Sequence, residues 1–225
     1  MSAIVFDSSA IISVSEKCFI EILEQLARGT KTEFVIPRSV YYEIVEHPMQ
    51  IKRFELNAIR IKKAVDNAWL KVMERDEETA RQMKKILETA NTVFFTGDKP
   101  ITLIQDGEAE AFALAKKLGA KAIVIDERTA RMLLEDPMRL KQRLERGIDK
   151  RIVADERKLS ELKKMLSGIG IVRSSEIIAL AWEKGLFADE LGQTKQALEA
   201  ALYAMKYSGC AVSEQEIEDF LKSQR

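Results

Sequence analysis

Histidine occurs once in this chain, at His47, and cysteine twice, at Cys18 and Cys210. A single imidazole excludes any mechanism that needs two. Two distant thiols build no disulfide framework and cannot supply a four-thiolate zinc site; both are expected as small, half-buried side chains. His47 stands just before Pro48 and reads as a turn residue. An excess of either charge is missing too, since lysine plus arginine and aspartate plus glutamate number 36 each. No global field therefore draws the chain onto a polyanion, which would have to be held by a local patch or by bound metal. No apolar stretch approaches the roughly 20 residues that span a bilayer. The run Ala3 to Phe6 is too short for a signal peptide and ends at Asp7, so the expectation is a cytoplasmic protein with no membrane contact.

What is present suits a globular chain: 225 residues, 46% of them hydrophobic, with four prolines and no low-complexity tract or internal repeat. Three short apolar runs read as strands buried on both faces: Ala3 to Phe6, Phe34 to Ile36 and Ala122 to Ile125. Thr92 to Phe95 and Ile169 to Val172 are weaker candidates. Between them lie helical patterns, the clearest running from Glu108 to Leu118 and closed by Gly119. Strands alternating with helices predict an α/β fold with a parallel sheet covered on both faces. Residues 1–190 are expected to form this domain, with charged, mainly helical insertions near 50–105 and 135–168, the second broken near Gly147. Residues 191–225 read as a helical tail: an amphipathic helix from Gln193 to Lys206, a break at Ser208-Gly209, and a last helix opened by the capping box Ser213 to Glu216.

In parallel sheets ligands sit beyond the carboxyl ends of the strands, where Asp7 and Asp126 both fall. Each can also be read as a helix N-cap, with Ser8 or Ser9 able to take over capping from Asp7. Hard divalent cations take oxygen ligands, so a magnesium or manganese site needs carboxylates converging from several elements rather than one contiguous motif. At about 100° per residue, Glu43 lies just outside the arc of Val40, Tyr41, Ile44 and Val45, and Glu46 points to water. The same projection puts Glu108 on the apolar face of its helix, between Phe112 and Ala115, and Glu110 outside it near Lys117. A glutamate on an apolar face is costly to leave unpaired, and a cation is a suitable partner. The competing account is that acids in a first turn complement the helix dipole.

With these positions in hand the sequence resembles the PIN-domain family. The matching pieces are Ala3 to Ser9, Val35-Ile36-Pro37 through Glu43, Asp106-Gly107-Glu108-Ala109-Glu110-Ala111 through Ala115, and Ile125-Asp126-Glu127-Arg128. Ile177 to Leu186 and Lys206 to Ser213 resemble the C-terminal part of one prokaryotic subgroup of predicted nucleases. The resemblance implies a Rossmann-like PIN domain with a C-terminal helical hairpin, and an activity like that of the VapC-like toxins of toxin–antitoxin pairs, which cut RNA with magnesium or manganese. It places Asp7, Glu43, Glu108 and Asp126 at the family's acidic positions, with Glu127 as an extra metal-binding acid and Ser8 or Ser9 orienting Asp7. It also implies an RNA substrate, and makes an antitoxin-like or other protein partner and a homodimer candidate assemblies. The segments 50–105 and 135–168 look longer than in compact VapC-like toxins.

Arg38, Lys99, Arg128 and Arg131 lie near the proposed strand ends and are candidate phosphate contacts; Arg38 and Arg128, with Ser8 and Ser9, are the expected substrate-binding set. Gly97-Asp98-Lys99 lacks the glycine spacing of a P-loop. Two rival readings remain. One is a PIN-like module that binds RNA or protein without cutting. The other, a small-molecule phosphatase or other metal hydrolase on a Rossmann-like sheet, lacks the strand-end pattern of two aspartates one residue apart, because position 9 is Ser9.

Overall fold

The computed structural model describes residues 2–224; Met1 and Arg225 lie outside them. The main sheet has five parallel strands in the order β3-β2-β1-β6-β8. Its members are β1 (Ser2–Phe6), β2 (Thr32–Pro37), β3 (Leu70–Met73), β6 (Ala122–Val124) and β8 (Gly170–Val172). Successive side chains on a strand point to opposite faces, and here both faces are dry. Phe6, Phe34, Ile36 and Val124 enter one apolar cluster, while Val5, Val35, Ile123 and Ile125 enter the other. Strands buried on both sides have no polar face to show, which is why they read as continuous apolar runs.

The first face is covered by α1 (Ser8–Glu16), α2 (Ile20–Gly29), α3 (Arg38–Tyr41), α4 (Glu55–Asp66), α10 (Ser174–Glu183) and α11 (Lys195–Tyr207). The second is covered by α5 (Glu77–Ala90), α6 (Asp106–Leu118), α7 (Arg128–Glu135), α8 (Pro137–Ile148) and α9 (Glu156–Met165). The fold is α/β, Rossmann-like, with helices on both faces of a parallel sheet. Gly119 closes α6 in the left-handed conformation at φ 55°, as a C-terminal glycine does without steric cost.

The tail ends in α12 (Glu214–Ser223), opened by the expected capping box: Ser213 Oγ accepts from Glu216 N, and Ser213 N donates to a Glu216 carboxylate oxygen. The apolar stripe of α11 is spent within the chain, because Leu198, Ala201, Leu202 and Met205 are buried against the first cluster. That stripe is not a free dimer surface.

Several local expectations change. Within the segment 50–105, Leu70–Met73 forms the edge strand β3, with Lys71 paired to Glu33 on β2. The segments read as helical insertions also contain strands: β4 (Phe94–Thr96) pairs antiparallel with both β5 (Lys99–Pro100) and β7 (Val153–Ala154), so the two segments meet in a second small sheet. Helix α8 runs through Gly147 and stops at Asp149, which is left-handed at φ 50°. Cys18 is exposed and Cys210 buried, rather than both half-buried.

Candidate active site

The switch point of the sheet lies between β1 and β6, the neighbours from which the chain winds in opposite directions. Asp7 follows β1 there, its N–H donating to the Val124 carbonyl at 2.9 Å. Its side chain is 2% exposed. One oxygen, Oδ2, accepts from Ser9 N at 3.1 Å and from Ser9 Oγ at 2.6 Å, capping α1. The other, Oδ1, is buried and accepts no hydrogen bond among the described residues. The cap and ligand readings are therefore compatible, because capping consumes only half of the carboxylate. Burial pushes the Asp7 carboxyl up to about 6, and the nearby Glu43 charge adds to this against the pull of the Ser9 hydrogen bonds.

Glu43 comes from a π-helical turn, Tyr42–Glu46, in which His47 N donates to the Tyr42 carbonyl five residues back at 2.9 Å. Such turns hold one extra residue and often mark functional positions. Glu43 reaches the N-terminus of α6, where a Cβ on Gly107 would stand 3.4 Å from Glu43 Oε2. Glu108, next in sequence, is half-buried, and its carboxylate accepts from Gln105 N at 2.6 Å. Burial raises the Glu108 carboxyl to about 7, with the Asp7 and Glu127 charges adding to it. Glu43, Asp7, Glu108 and Glu127 thus form a chain of mutually repelling neighbours.

Asp126 follows β6 and is also 2% exposed, but both of its oxygens are engaged. Oδ1 accepts from Ser174 N at 2.8 Å and Oδ2 from Ser174 Oγ at 2.6 Å. Its own N–H donates to Ser9 Oγ at 3.0 Å, so Ser9 bridges the two aspartates. Glu127 caps α7, accepting from Ala130 N at 2.7 Å. Among the described residues, no three acidic, histidine or cysteine side chains meet closely enough to hold a metal ion as they stand.

A family model described as the PIN domain matches residues 3–136, more than half of the chain. The chain belongs to the PIN-domain family. Comparison with curated proteins and with solved structures returned no match. PIN domains are generally nucleases and typically use divalent metals. The matched segment carries all four acids at issue and ends just before α8.

Within this PIN domain Glu110 does not lie outside the buried face of α6, where its helical phase predicts it. Glu110 is 1% exposed, not solvated. It takes a two-pronged ion pair from Arg75, with Nε at 3.0 Å and Nη2 at 2.5 Å. Burial opposes its ionisation, yet the guanidinium wins and holds the carboxyl below its usual range. The cause of the error is that α6 has no wet side over this stretch: Ala109 and Ala111 through Ala115 are all buried. Arg75 lies 35 residues away, and no local pattern announces it.

The Glu43 and Glu46 expectation also shifts. Glu43 is exposed and Glu46 half-covered, because Arg38 Nη2 grips both Glu46 oxygens at 3.0 and 2.9 Å. Arg38 is therefore engaged and does not present a free guanidinium to substrate. Ser8 is buried and its side chain makes no hydrogen bond among the described residues, whereas Ser9 Oγ donates to Asp7, so the orienting hydroxyl is that of Ser9. Lys99 sits on the second sheet. Arg131 pairs with Glu135 and donates to the Ala211 carbonyl, tying α7 to the tail. Arg128 alone of the four cationic candidates is exposed, free of an ion pair among the described residues, and beside Asp126 and Glu127. Sequence reasoning missed Ser174, whose only local signal was a serine pair at the start of a helix.

Proposed function

We propose that this PIN domain is a magnesium- or manganese-dependent ribonuclease acting at the cluster of Asp7, Glu43, Glu108 and Asp126, with Glu127 beside it. The observation that carries the reading is Asp7 Oδ1, a carboxylate oxygen buried without a partner among other acids. An unsatisfied buried acceptor is expensive and needs an explanation. A hard cation fits this donor set, which is all oxygen and short of positive charge. The chemistry such an ion supplies is charge neutralisation at a phosphodiester and easier ionisation of water.

The residues of the chain have separable roles. Asp7 offers a free oxygen already aimed by Ser9. Glu43 and Glu108 approach it from the π-turn and from the start of α6. Glu108, with its carboxyl near 7, holds or releases a proton close to neutral pH in the ion-free protein. Asp126 locks β6 to α10, and each of its oxygens keeps a further acceptor site.

Manganese at one hundred times its dissociation constant should stabilise the protein by about 2.7 kcal/mol, read as a higher Tm. Asp7→Asn should remove most of that gain and abolish cleavage of single-stranded RNA. An unchanged melting curve with saturating metal would sink the site. A rival reading, a PIN-like module that binds RNA or a protein such as an antitoxin without cutting, draws on the absence of three preassembled ligands among the described residues. It predicts no cleavage with either metal.

A further inference from the structure

Beside the acids, on the C-terminal side of β6, lies a groove whose walls differ from the rest of this neutral chain. A cavity of about 520 Å³ is bordered by Asp126, Glu127, Arg128, Arg143 and Lys206. A second, of about 530 Å³, shares Arg128 and Arg143 and continues to Arg131, Arg139 and Arg146. The two adjoin at these shared residues and lead away from Asp126 and Glu127. Arg139, Arg143 and Arg146 stand at helical spacing of four and three residues on α8, so they form one ridge. All three are exposed, as is Arg128.

The acids of the second cavity already have partners. Glu135 pairs with Arg131, Asp136 caps α8 through Arg139 N, and Glu216 pairs with Arg173. Arg128, Arg139, Arg143 and Arg146 all border one cavity and form no ion pair among the described residues, whereas Arg131 in the same cavity pairs with Glu135. A like-charged ridge with no internal partner is uphill unless something anionic neutralises it. Guanidinium forks match phosphate oxygens.

We infer that the α8 ridge is the track on which the RNA phosphate backbone lies as it enters the acid cluster. This rests on the nuclease reading above for the direction of the track and names where substrate affinity resides. The ridge lies beyond the segment matched to the PIN family, residues 3–136.

The test is fluorescence anisotropy of a labelled oligouridine, in EDTA and in an Asp7→Asn background so that nothing is cut. The triple substitution Arg139→Ala, Arg143→Ala and Arg146→Ala should weaken Kd by about tenfold or more at moderate salt. It should also lower the slope of log Kd against log salt by about 2, at roughly 0.7 per lost single-strand phosphate contact. The exposed triple should melt as the parent does, and Lys replacements at the same three sites should restore most of the slope. Lys84→Ala with Lys85→Ala, on α5, serves as the surface control and should bind as the parent does. Affinity and slope of the alanine triple within about twofold of the parent would overturn the track. So would polyglutamate competing as well as RNA of equal charge, which would assign the ridge to an acidic protein segment. The two readings fail separately: RNA binding through the ridge with no cleavage sinks the nuclease alone, whereas cleavage with an unchanged KM in the triple sinks the track alone.

Discussion

Asp7 and Asp126 occupy matching places and meet different fates. Each follows a central strand, each precedes a helix or its cap, and each is 2% exposed. Asp126 is satisfied at both oxygens by Ser174, so its charge is balanced by donors and it fastens β6 to α10. Asp7 spends one oxygen on Ser9 and leaves the other bare next to Glu43 and Glu108. Equal burial therefore conceals opposite energetics. One carboxylate stabilises the fold; the other is a cost that the fold carries and that a bound cation would offset.

The largest effect that separates them is on stability. Asp126→Ala removes two hydrogen bonds to a charged acceptor and strands the Ser174 N–H and hydroxyl, at a cost of about 3 kcal/mol. Urea unfolding reads this directly. A loss below about 1 kcal/mol would mean that Asp126 is not the latch and would erase the contrast with Asp7.

The next effect is smaller and has the opposite sign. In the folded protein the Asp7 carboxyl rises to about 6 from 3.8, and that of Glu108 to about 7 from 4.5. The native state therefore holds protons that the unfolded chain has already released. Stability from these groups is intact below about pH 4 and is lost as pH rises through about 7. Other acids act the other way: the Ser213 hydrogen bonds and the Arg173 ion pair overcome burial to hold Glu216 at about 2, and that contribution is lost on acidification. A comparison with Asp7→Asn isolates the Asp7 share. In EDTA the asparagine variant should gain about 2 kcal/mol on the wild type between pH 4 and pH 8, the repulsion being shared with Glu108. Parallel stability curves would show that Asp7 ionises without penalty.

Much of this site was legible because strand ends are. Apolar runs buried on both faces and stopped by an acid located Asp7 and Asp126 and the sheet between them. Helical phase served less well because it presumes a wet side. Alanines on every side of α6 made Glu108 and Glu110 hard to tell apart, and the buried one proved to be Glu110. The π-turn added a residue to the helix carrying Glu43, so a fixed pitch misjudged Glu46. Long-range partners were out of reach: Arg75 for Glu110, Ser174 for Asp126, and the pairing of β4 with β7 each join segments that no local pattern connects. The arginine ridge of α8 was written in the sequence as a charged helix. Its meaning came from the groove it faces.

The smallest effect tests whether the two aspartates are one unit. Ser9 Oγ donates to Asp7 Oδ2 and accepts from Asp126 N, and among the described residues no other side chain bonds to both. Ser9→Ala should cost about 1 kcal/mol, mostly from the stranded Asp126 N–H. Stability alone would not distinguish coupling from lost packing, but titration does. The Ser9 hydroxyl bond favours the ionised form of Asp7, so its removal should move the Asp7 carboxyl further above 6. Carbon-detected NMR of the carboxyl groups in EDTA reads that movement, with the midpoint of Glu108 as a second reporter. Since the Asp7 charge helps hold Glu108 up, a more protonated Asp7 should let Glu108 ionise at lower pH. Movement of Asp7 with no response at Glu108 would mean that the acids titrate independently. The chain of repelling neighbours, and with it the case for a shared cation, would then be broken at its centre.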